Sequence, residues 1–275
     1  MTLAATLRRP VIAGGLAILA LLVLSAALAP LLTAEDPIAL NALRRLRPPG
    51  PEHPFGTDQL GRDVLTRILY GGRVSLTVGF AVAGLSTVIG LVLGLLAGYS
   101  RPVDNVLMRV MDGFMAIPGI LLAISISAIV GGGMVTVILA ITVTEIPIVT
   151  RLVRSVTQSL KEQTFVEAAR AVGTRPHRIL TRHILPNALA PVVVQATYIC
   201  GIAILIESAL SFLGAGIPPE YPSWGNIMAE GRNYVAIAAW ILLLPGCFVA
   251  ATVLALNLLG DGLRDLLDPR MARRL

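Results

Sequence analysis

Three acidic residues stand inside long apolar stretches of this chain: Asp112, Glu145 and Glu207. An ionisable side chain near the centre of a bilayer costs about 2.5 to 3.5 kcal/mol on insertion scales, so each of these residues needs an explanation. A carboxylate that faces a water-filled cavity can bind a metal cation or a cationic amino group. A carboxylate enclosed by protein is instead protonated, or is hydrogen-bonded by a neighbouring helix.

The sequence favours different explanations for the three residues. Asp112 lies one helical turn from Arg109, and an ion pair between them near one membrane surface accounts for it without a function. Glu145 stands two residues before Pro147, and Glu207 lies within a later apolar stretch. For Glu145 and Glu207 both explanations, a cavity-facing group and an internally satisfied group, stay open.

The remaining reactive side chains form no catalytic or metal-binding set. Cys200 and Cys247 lie in apolar stretches, which is typical of small core residues and not of a disulfide. His53, His177 and His183 lie outside those stretches, whereas haem or zinc in the membrane core would need ligands there. The nucleophile pattern G-x-S-x-G is also missing from the sequence. We therefore expect no catalytic residue and no metal site.

The composition is that of an integral membrane protein. Of the 275 residues, 55% are hydrophobic and 14% are charged, and the mean hydropathy is +0.80. A membrane-spanning helix needs about 20 apolar residues. The sequence therefore predicts an all-α protein with six transmembrane helices, which cover residues 11–32, 74–98, 106–130, 134–150, 189–213 and 235–259.

Basic residues predict which membrane surface each loop faces, because Lys and Arg near the ends of spans are retained in the cytoplasm. With the N-terminus inside, most of the 22 basic residues fall in cytoplasmic segments, and both termini are then cytoplasmic. The terminal residues Arg8, Arg9, Arg270, Arg273 and Arg274 contribute to this distribution. The net charge of +6 is explained by anionic lipid. It gives no support for nucleic-acid binding, since no aromatic platform accompanies the arginines.

The segment between the first two spans has a pattern of its own. After the Pro-rich run RPPGPEHP, apolar residues between Leu60 and Leu69 recur at helical spacing, opposite Arg62 and Arg67. This pattern predicts a short helix on the outer surface, capped by Thr57 or Asp58. A structural role and a role in contacting a partner are both open for it.

Two groups of glycines have structural explanations. Gly90, Gly94 and Gly98 recur every fourth residue, so they lie on one helix face and let a neighbouring backbone approach closely. The run 131–133 consists of glycine alone and predicts a tight outer turn between two spans.

A basic, helix-patterned segment interrupts the apolar chain between the fourth and fifth spans. Phe165, Ala168, Ala169 and Val172 fall on one helix face, and Gly173 follows as a C-terminal stop. The pattern predicts a first short helix that ends at this glycine.

A second short helix follows in the same segment. Thr174 can cap it, Pro176 is tolerated in its first turn, and we expect it to end at Pro186, where the chain returns to the membrane. Two short helices joined at a glycine bend would project from the cytoplasmic surface, where a partner protein can contact them. An amphipathic hairpin that rests on lipid headgroups is the alternative.

The segment resembles the Glu-Ala-Ala loop of ABC importer permeases. That motif has Glu-Ala-Ala, three residues, Gly, nine residues, an apolar residue, any residue, then Leu and Pro. The matching residues are Glu167, Ala168, Ala169, Gly173, Leu185 and Pro186. His183 departs from the pattern, because it stands where an apolar residue is favoured.

Five further blocks are similar to the second permease subunit of the dipeptide, oligopeptide and nickel subfamily. They are GTDQLGRDVLTRILYGGRVSL (56–76), MRVMDGFMAIPGILLAI (108–124), ESALSFLGAGIPP (207–219), SWGNIM (223–228) and NLLGDGLRDLLDPR (257–270). The resemblance implies the type I ABC importer permease fold in a bacterial cytoplasmic (inner) membrane. It implies an anchor helix and extracytoplasmic loop over residues 1–73, and a permease core over 74–275 with a cytoplasmic coupling loop at 154–188.

The resemblance also implies a set of partners. A second homologous permease subunit would complete the pathway, two ATP-binding subunits would lie beneath it, and an extracytoplasmic binding protein would deliver the solute. The sequence contains no G-x-x-x-x-G-K-[ST] motif. We therefore expect that this chain binds no cofactor, and that ATP and Mg²⁺ belong to the partner subunits. Glu167 to Gly173 would contact those subunits, and Glu145 and Glu207 are candidates for the translocation pathway.

Di- and oligopeptides are the substrates that the subfamily favours. Nickel, glutathione and opines are the alternatives within the same role. A stand-alone secondary transporter is a different class of function, and it is disfavoured because the sequence shows no clear internal repeat.

Overall fold

Helices make up most of the structure described by the computed structural model, which covers residues 10–267. In chain order they are α1 (Pro10–Ala27), α2 (Ala29–Leu32), α3 (Val64–Tyr99), α4 (Arg101–Met115), α5 (Gly119–Val130), α6 (Met134–Lys161), α7 (Thr164–Ala171), α8 (Pro176–Ile179), α9 (Leu185–Phe212), α10 (Trp224–Gly231) and α11 (Trp240–Leu267). A π-helical turn, Leu180–Ile184, joins α8 to α9, and 3₁₀ turns lie at Ala42–Arg44 and Arg232–Tyr234. The terminal arginines counted above (Arg8, Arg9, Arg270, Arg273 and Arg274) lie outside the described residues.

The described chain contains the six predicted membrane spans, with one of them divided. Five helices are long and apolar enough to cross a membrane: α1, α3, α6, the continuous helix Pro176–Phe212, and α11. The sixth is the pair α4 and α5, whose axes meet at 84°. The prediction of an all-α protein with six spans is confirmed, while the single helix expected over residues 106–130 is wrong.

The division of this span follows from one proline. Pro118 has no backbone N–H, and its ring disfavours the helical region for Ile117. The chain leaves the helix after Met115 and re-enters it at Gly119. An apolar run measures whether a segment suits the membrane and not whether its helix is straight, so hydropathy alone did not reveal the bend.

The helix expected on the outer surface is the beginning of α3. Asp63, and not Thr57 or Asp58, is the cap, since its carboxylate accepts a hydrogen bond from the Thr66 N–H at 2.7 Å. No proline interrupts the next 36 residues, so the helix continues through the membrane to Tyr99. The boundary expected between residues 73 and 74 therefore falls inside one helix.

The glycine stripe of α3 packs against α6, as its spacing predicted. A Cβ atom on Gly90 would lie 2.5 Å from Val149 Cβ, and one on Gly94 would lie 2.5 Å from Val153 Cβ. Gly98 has the same relation to Thr157. Residue numbers rise together on both helices, so α3 and α6 run parallel at a distance that only glycine permits.

The other spans are arranged around this pair. Gly79 of α3 packs against Ile204 and Cys200 of α9, and Gly201 of α9 faces α11 near Val253. On the far side of α11, Gly15 of the anchor helix α1 contacts the backbone of Ala255. The main core lies between these helices and continues to Trp224 of α10, which is buried and donates a 3.0 Å hydrogen bond to the Ile68 carbonyl.

Replacing Gly94 with leucine tests the close approach of α3 and α6. The new side chain has no room beside Val153, so the helices must separate, at a cost of about 1 to 3 kcal/mol. We expect a clear fall in the unfolding temperature of the detergent-solubilised protein. Gly84→Leu is the control on the same helix, because a Cβ there meets nothing within 4 Å, and its unfolding temperature should stay near that of the wild type. Equal falls for the two variants would contradict the packing account.

Candidate functional site

The basic segment forms a hairpin of α7 and α8, which we call the α7–α8 hairpin (164–179). Gly173 closes α7 with φ of +77°, a conformation that favours glycine. The Thr174 N–H then bonds the Ala169 carbonyl at 3.0 Å and the Gly173 N–H bonds the Arg170 carbonyl at 2.9 Å, which is the Schellman arrangement. Arg175, and not Thr174, is the N-cap residue of α8.

One side of the hairpin is fixed to the membrane helices. Val166, Ala169, Ile179 and Ile184 are buried together. They pack against partly buried residues of α3, α6 and the π-helical turn, namely Leu95, Tyr99, Leu160 and Leu180. The face expected to be apolar was therefore misassigned: of its four residues only Ala169 is buried, and Phe165, Ala168 and Val172 are exposed.

Lys161, the last residue of α6, caps the C-terminal end of α3 next to the hairpin. Lys161 Nζ donates to the carbonyl oxygens of Tyr99 at 3.0 Å and Gly98 at 3.3 Å, where α3 ends with unpaired carbonyls. Its ammonium also lies 5.7 Å from the centre of the Tyr99 ring, and the Arg170 guanidinium lies 6.0 Å from it. The hairpin is thus tied to the end of α3 by charge as well as by apolar contact.

The opposite side of the hairpin is open in the described chain. Glu167, Ala168 and Gly173 are exposed, and 82% of Val172 is accessible. Leu185 is half-buried and Pro186 is exposed at the start of α9, so these two motif residues lie away from the hairpin tip. Glu167, Ala168 and Gly173 are exposed on this side of the hairpin together with Phe165 and Val172, whereas Ala169 is turned inward.

The chain does not leave the helix at Pro186, in contrast to the expectation from sequence. Between Leu180 and Ile184 the helix widens to a π turn, in which the Leu185 N–H bonds the Leu180 carbonyl. The wider turn accommodates the missing N–H of Pro186 without ending the helix. Residues 176–212 consequently form one continuous helix that joins the hairpin to the fifth span.

Two ion pairs connect α4 to α6 near the hairpin. Asp112 contacts Arg151 at 2.5 Å. This corrects the expected pair with Arg109. The side chain of Arg154 binds Asp104 through two nitrogens, one of them at 2.7 Å. Sequence proximity suggested Arg109, but the bend after α4 turns the acidic face of this helix toward α6.

Glu207 lies in the interior of the chain with no accessible surface. Its two oxygens accept hydrogen bonds from Ser75 at 3.0 Å and Ser211 at 2.9 Å, and Ser75 also accepts from the Trp224 N–H. Of the two explanations the sequence left open, these contacts match an internally satisfied carboxyl that joins α3, α9 and α10.

Glu145 is also buried, on the side of α6 that carries Val149 and Val153 toward α3. One of its oxygens, Oε2, has no hydrogen-bond partner among the described residues. A buried carboxyl oxygen without a hydrogen bond is costly in an apolar surrounding, so the described residues leave Glu145 less fully satisfied than Glu207.

A buried charge network, not foreseen from the sequence, closes the opposite end of the molecule. Asp58 is fully buried and accepts from Arg62 Nε at 2.6 Å and from Arg67 Nη1 at 2.7 Å. Glu230 of α10 contacts the same two arginines, with 2.7 Å to Arg67, and accepts from Gln59 at 2.8 Å. Two acids and two arginines balance each other. Glu230 is more than 160 residues away in sequence, so no local pattern revealed this network.

His53 belongs to a neighbouring cluster in the same segment between α2 and α3. Its Nδ1 lies 2.9 Å from Asp63 Oδ1, and its Nε2 lies 3.5 Å from Arg44. Glu35 is close enough to share a metal ion with His53 and Asp63, but the Arg44 guanidinium lies 3.4 Å from Glu35 and already supplies positive charge there. The arrangement ties the segment after α1 to the cap of α3.

Comparison with known proteins fits this geometry. The family described as "Binding-protein-dependent transport system inner membrane component" matches residues 90–273. The chain belongs to this family. A dipeptide transport system permease protein of Alkalihalophilus pseudofirmus is 46% identical over 258 residues, which are 94% of this chain and 85% of that protein.

Other relatives of this inner membrane component carry related names. A di/tripeptide transport system permease protein of Pseudomonas aeruginosa is 40% identical over 94% of this chain and 88% of its own length. A glutathione transport system permease protein of Pectobacterium atrosepticum is 45% identical over 81% of this chain and 74% of its own length. The fold is shared with the MetNI methionine ABC transporter in an inward-facing conformation. That chain has a TM-score of 0.61 and 24% identity, and the match covers 73% of this chain and 96% of that one.

The Asp58–Glu230 charge network of this inner membrane component predicts a pH dependence of its stability. Burial alone would raise the pKa of Glu230, but the hydrogen bond and charge of Arg67, with the charge of Arg62, outweigh burial and hold the pKa below its usual range. A glutamate in the unfolded chain titrates near pH 4.3. The network therefore stabilises the folded state fully above that pH, and the stabilisation is lost as the pH falls through the lower folded-state pKa.

We expect the unfolding temperature of the purified protein to fall between pH 7 and pH 3.5 by several degrees more in the wild type than in Glu230→Gln. The variant should already be less stable at pH 7, because it leaves the buried arginines with one carboxylate fewer. Glu220→Gln is a control outside the network. Parallel acid sensitivity of wild type and Glu230→Gln would contradict the assignment.

Proposed function

We propose that this chain is one of two permease subunits of an ATP-driven peptide importer, and that it moves peptides into the cytoplasm by alternating access. The observation that carries the proposal is the α7–α8 hairpin. It presents a small exposed surface at Glu167, Ala168 and Gly173 while its other side is packed on the membrane helices. A partner protein can bind a surface of this kind. A displacement of the hairpin would then move the spans against which it packs.

The hairpin would receive its motion from ATP-binding partner subunits, which bind ATP and Mg²⁺. The sequence of this chain has no phosphate-binding G-x-x-x-x-G-K-[ST] motif, and we infer that it contributes no catalytic residue to hydrolysis. A second homologous permease and an extracytoplasmic binding protein complete the proposed assembly. The family description, which names dependence on a binding protein, supports the latter.

The proposed orientation places the hairpin in the cytoplasm and the Asp58–Glu230 network outside. The basic side chains Arg151, Arg154, Lys161 and Arg170 gather at the hairpin end of the spans, which supports this direction. The anchor helix α1 then starts from the cytoplasm, and with six spans the C-terminus lies there too.

Peptides are the favoured substrates, because relatives named for dipeptide and di/tripeptide transport align over almost the whole chain. Glutathione, itself a small peptide, is the alternative that a specific relative supports. Binding measurements on the cognate binding protein with dipeptides, glutathione and nickel separate these candidates. Micromolar or tighter binding of nickel alone would refute the peptide assignment while leaving the permease role intact.

Ala168→Asp tests the coupling surface. Ala168 is exposed and outside the hairpin's own core, so a charged side chain there should not unfold the chain but should hold a docked partner away. We expect the assembled importer to lose at least about 90% of substrate-stimulated ATPase and of uptake, because an interface centre tolerates an unpaired charge poorly. Co-purification of the ATP-binding subunits should weaken as well.

The matched control is Ala42→Asp, the same change at an exposed alanine of the outer segment. This variant should retain ATP-binding partners and stimulated hydrolysis. Normal coupled uptake by Ala168→Asp would count against the hairpin as the coupling element.

A further inference from the structure

Helix α5, the second part of the divided third span, is too short to cross the membrane by itself. Helix α5 has 12 residues, which corresponds to about 18 Å of helix, whereas the hydrocarbon core is about 30 Å thick. Helix α4 turns away from it by 84°. Irregular backbone at membrane depth occurs only where protein covers it or where it lines a water-filled cavity. The position of the bend between α4 and α5, residues 116–118, therefore decides what it faces.

The level of the membrane can be fixed on helix α3. Arg73 donates 2.7 Å hydrogen bonds to the carbonyls of Ala26 and Ala27, where α1 ends, so it marks one boundary of the hydrocarbon. About 20 residues further along α3 the other boundary lies near Gly94. Gly94 packs against Val153 of α6, which stands between Arg151 and Arg154. Charged residues on two helices thus agree on the position of this second boundary.

The bend lies well inside that boundary. A Cβ atom on Gly119, the first residue of α5, would lie 3.5 Å from Thr144 Cβ. Thr144 precedes Val153 by nine residues on α6, which places it about 13 Å into the hydrocarbon. Residues 116–118 are immediately adjacent to Gly119 and occupy a similar depth.

The bend has unpaired backbone groups and no cover from its own chain. Among the described residues, the N–H groups of Ile117, Gly119 and Ile120 have no hydrogen-bond acceptor. Every residue from Phe114 to Leu121 is exposed, with 47% of Ile117 accessible. Lipid cannot satisfy these groups, and each would cost several kcal/mol in hydrocarbon. An apolar helix of a second permease laid over the bend would leave them unpaired as well, whereas water would not.

We propose that residues 114–121 form a wall of the aqueous translocation pathway of this chain. This rests on the proposed permease function and names the part of the chain that meets the solute. The wall combines apolar side chains, Phe114, Met115 and Ile117, with free backbone groups at the bend. The free N–H groups of such a surface can donate hydrogen bonds to the carbonyl groups of a peptide, whatever the side chains of that peptide. Glu207, with no accessible surface, lies outside this wall.

The test is the reactivity of single cysteines toward a charged, water-soluble methanethiosulfonate in membranes that contain the assembled importer. Cys200 and Cys247 are first replaced by serine, and Ile117→Cys or Ala116→Cys is then introduced. Val88→Cys is the control, because Val88 is 63% exposed on α3 and lies about 9 Å inside the same boundary. We expect both bend positions to react at least about tenfold faster than position 88, since thiolate forms in water and not in lipid.

Two further measurements on the same membranes, cysteine reactivity with trapped nucleotide and ATP-driven uptake, distinguish failure of the pathway assignment from failure of the importer function. Trapping nucleotide on the ATP-binding subunits should change the rate at Ile117→Cys and Ala116→Cys, because alternating access moves the wall. If the serine-substituted parent shows ATP-driven uptake of a labelled dipeptide but both bend cysteines react as slowly as Val88→Cys, the bend is covered and the inference is overturned. If the parent hydrolyses no ATP in response to substrate and imports nothing, the proposed function fails instead.

Discussion

The contact of α3 with α6 is the interaction on which the rest of the structure depends. Glycine at positions 90, 94 and 98 lets two parallel helices approach until side chains of α6 touch the backbone of α3. At one end of this pair α3 begins in the buried Asp58–Glu230 network, and at the other α6 runs into the α7–α8 hairpin. A displacement of the hairpin is therefore passed to the pair as a whole, because a close-packed interface cannot absorb it locally.

The bilayer sets a second constraint: a polar group at membrane depth needs either a partner within the protein or contact with water. Each carboxyl oxygen of Glu207 accepts a hydrogen bond from a serine hydroxyl, and Asp58 and Glu230 are paired with arginine, so these groups are compatible with a dry interior. At the bend after α4, by contrast, the N–H groups of Ile117, Gly119 and Ile120 have no acceptor among the described residues, and Gly119 lies beside Thr144 of α6. Unsatisfied backbone at membrane depth needs water or protein cover, which is why we place the translocation pathway at this bend and not at the buried carboxyls.

Much of the fold could be predicted from the amino-acid sequence because the bilayer imposes a length and a polarity on each span. The six apolar stretches followed from the length of the apolar runs, and the glycine stripe followed from its four-residue spacing. Individual breaks and caps did not, since they depend on geometry: Pro118 divides a span, whereas Pro186 is accommodated by a π turn. Both prolines look alike in a hydropathy profile.

The candidate site was predictable only in part. Glu167, Ala168 and Gly173 were located by motif, but which side of α7 packs inward depends on where α3 and α6 end, and that is a tertiary property. Arg151 as the partner of Asp112, and Glu230 as the partner of Arg67, are contacts between distant segments. Local spacing suggested Arg109 for the first and gave no indication of the second.

We propose that an ATP-driven partner moves the spans through the α7–α8 hairpin. The most direct measurement is peptide uptake by vesicles that contain the assembled importer in one orientation, with ATP supplied on one side only and the hairpin side identified by labelling at Val172→Cys. The account predicts uptake only when ATP is on the side of the hairpin, with solute moving toward that side. Uptake without ATP, or uptake driven by ATP on the opposite side alone, would contradict it.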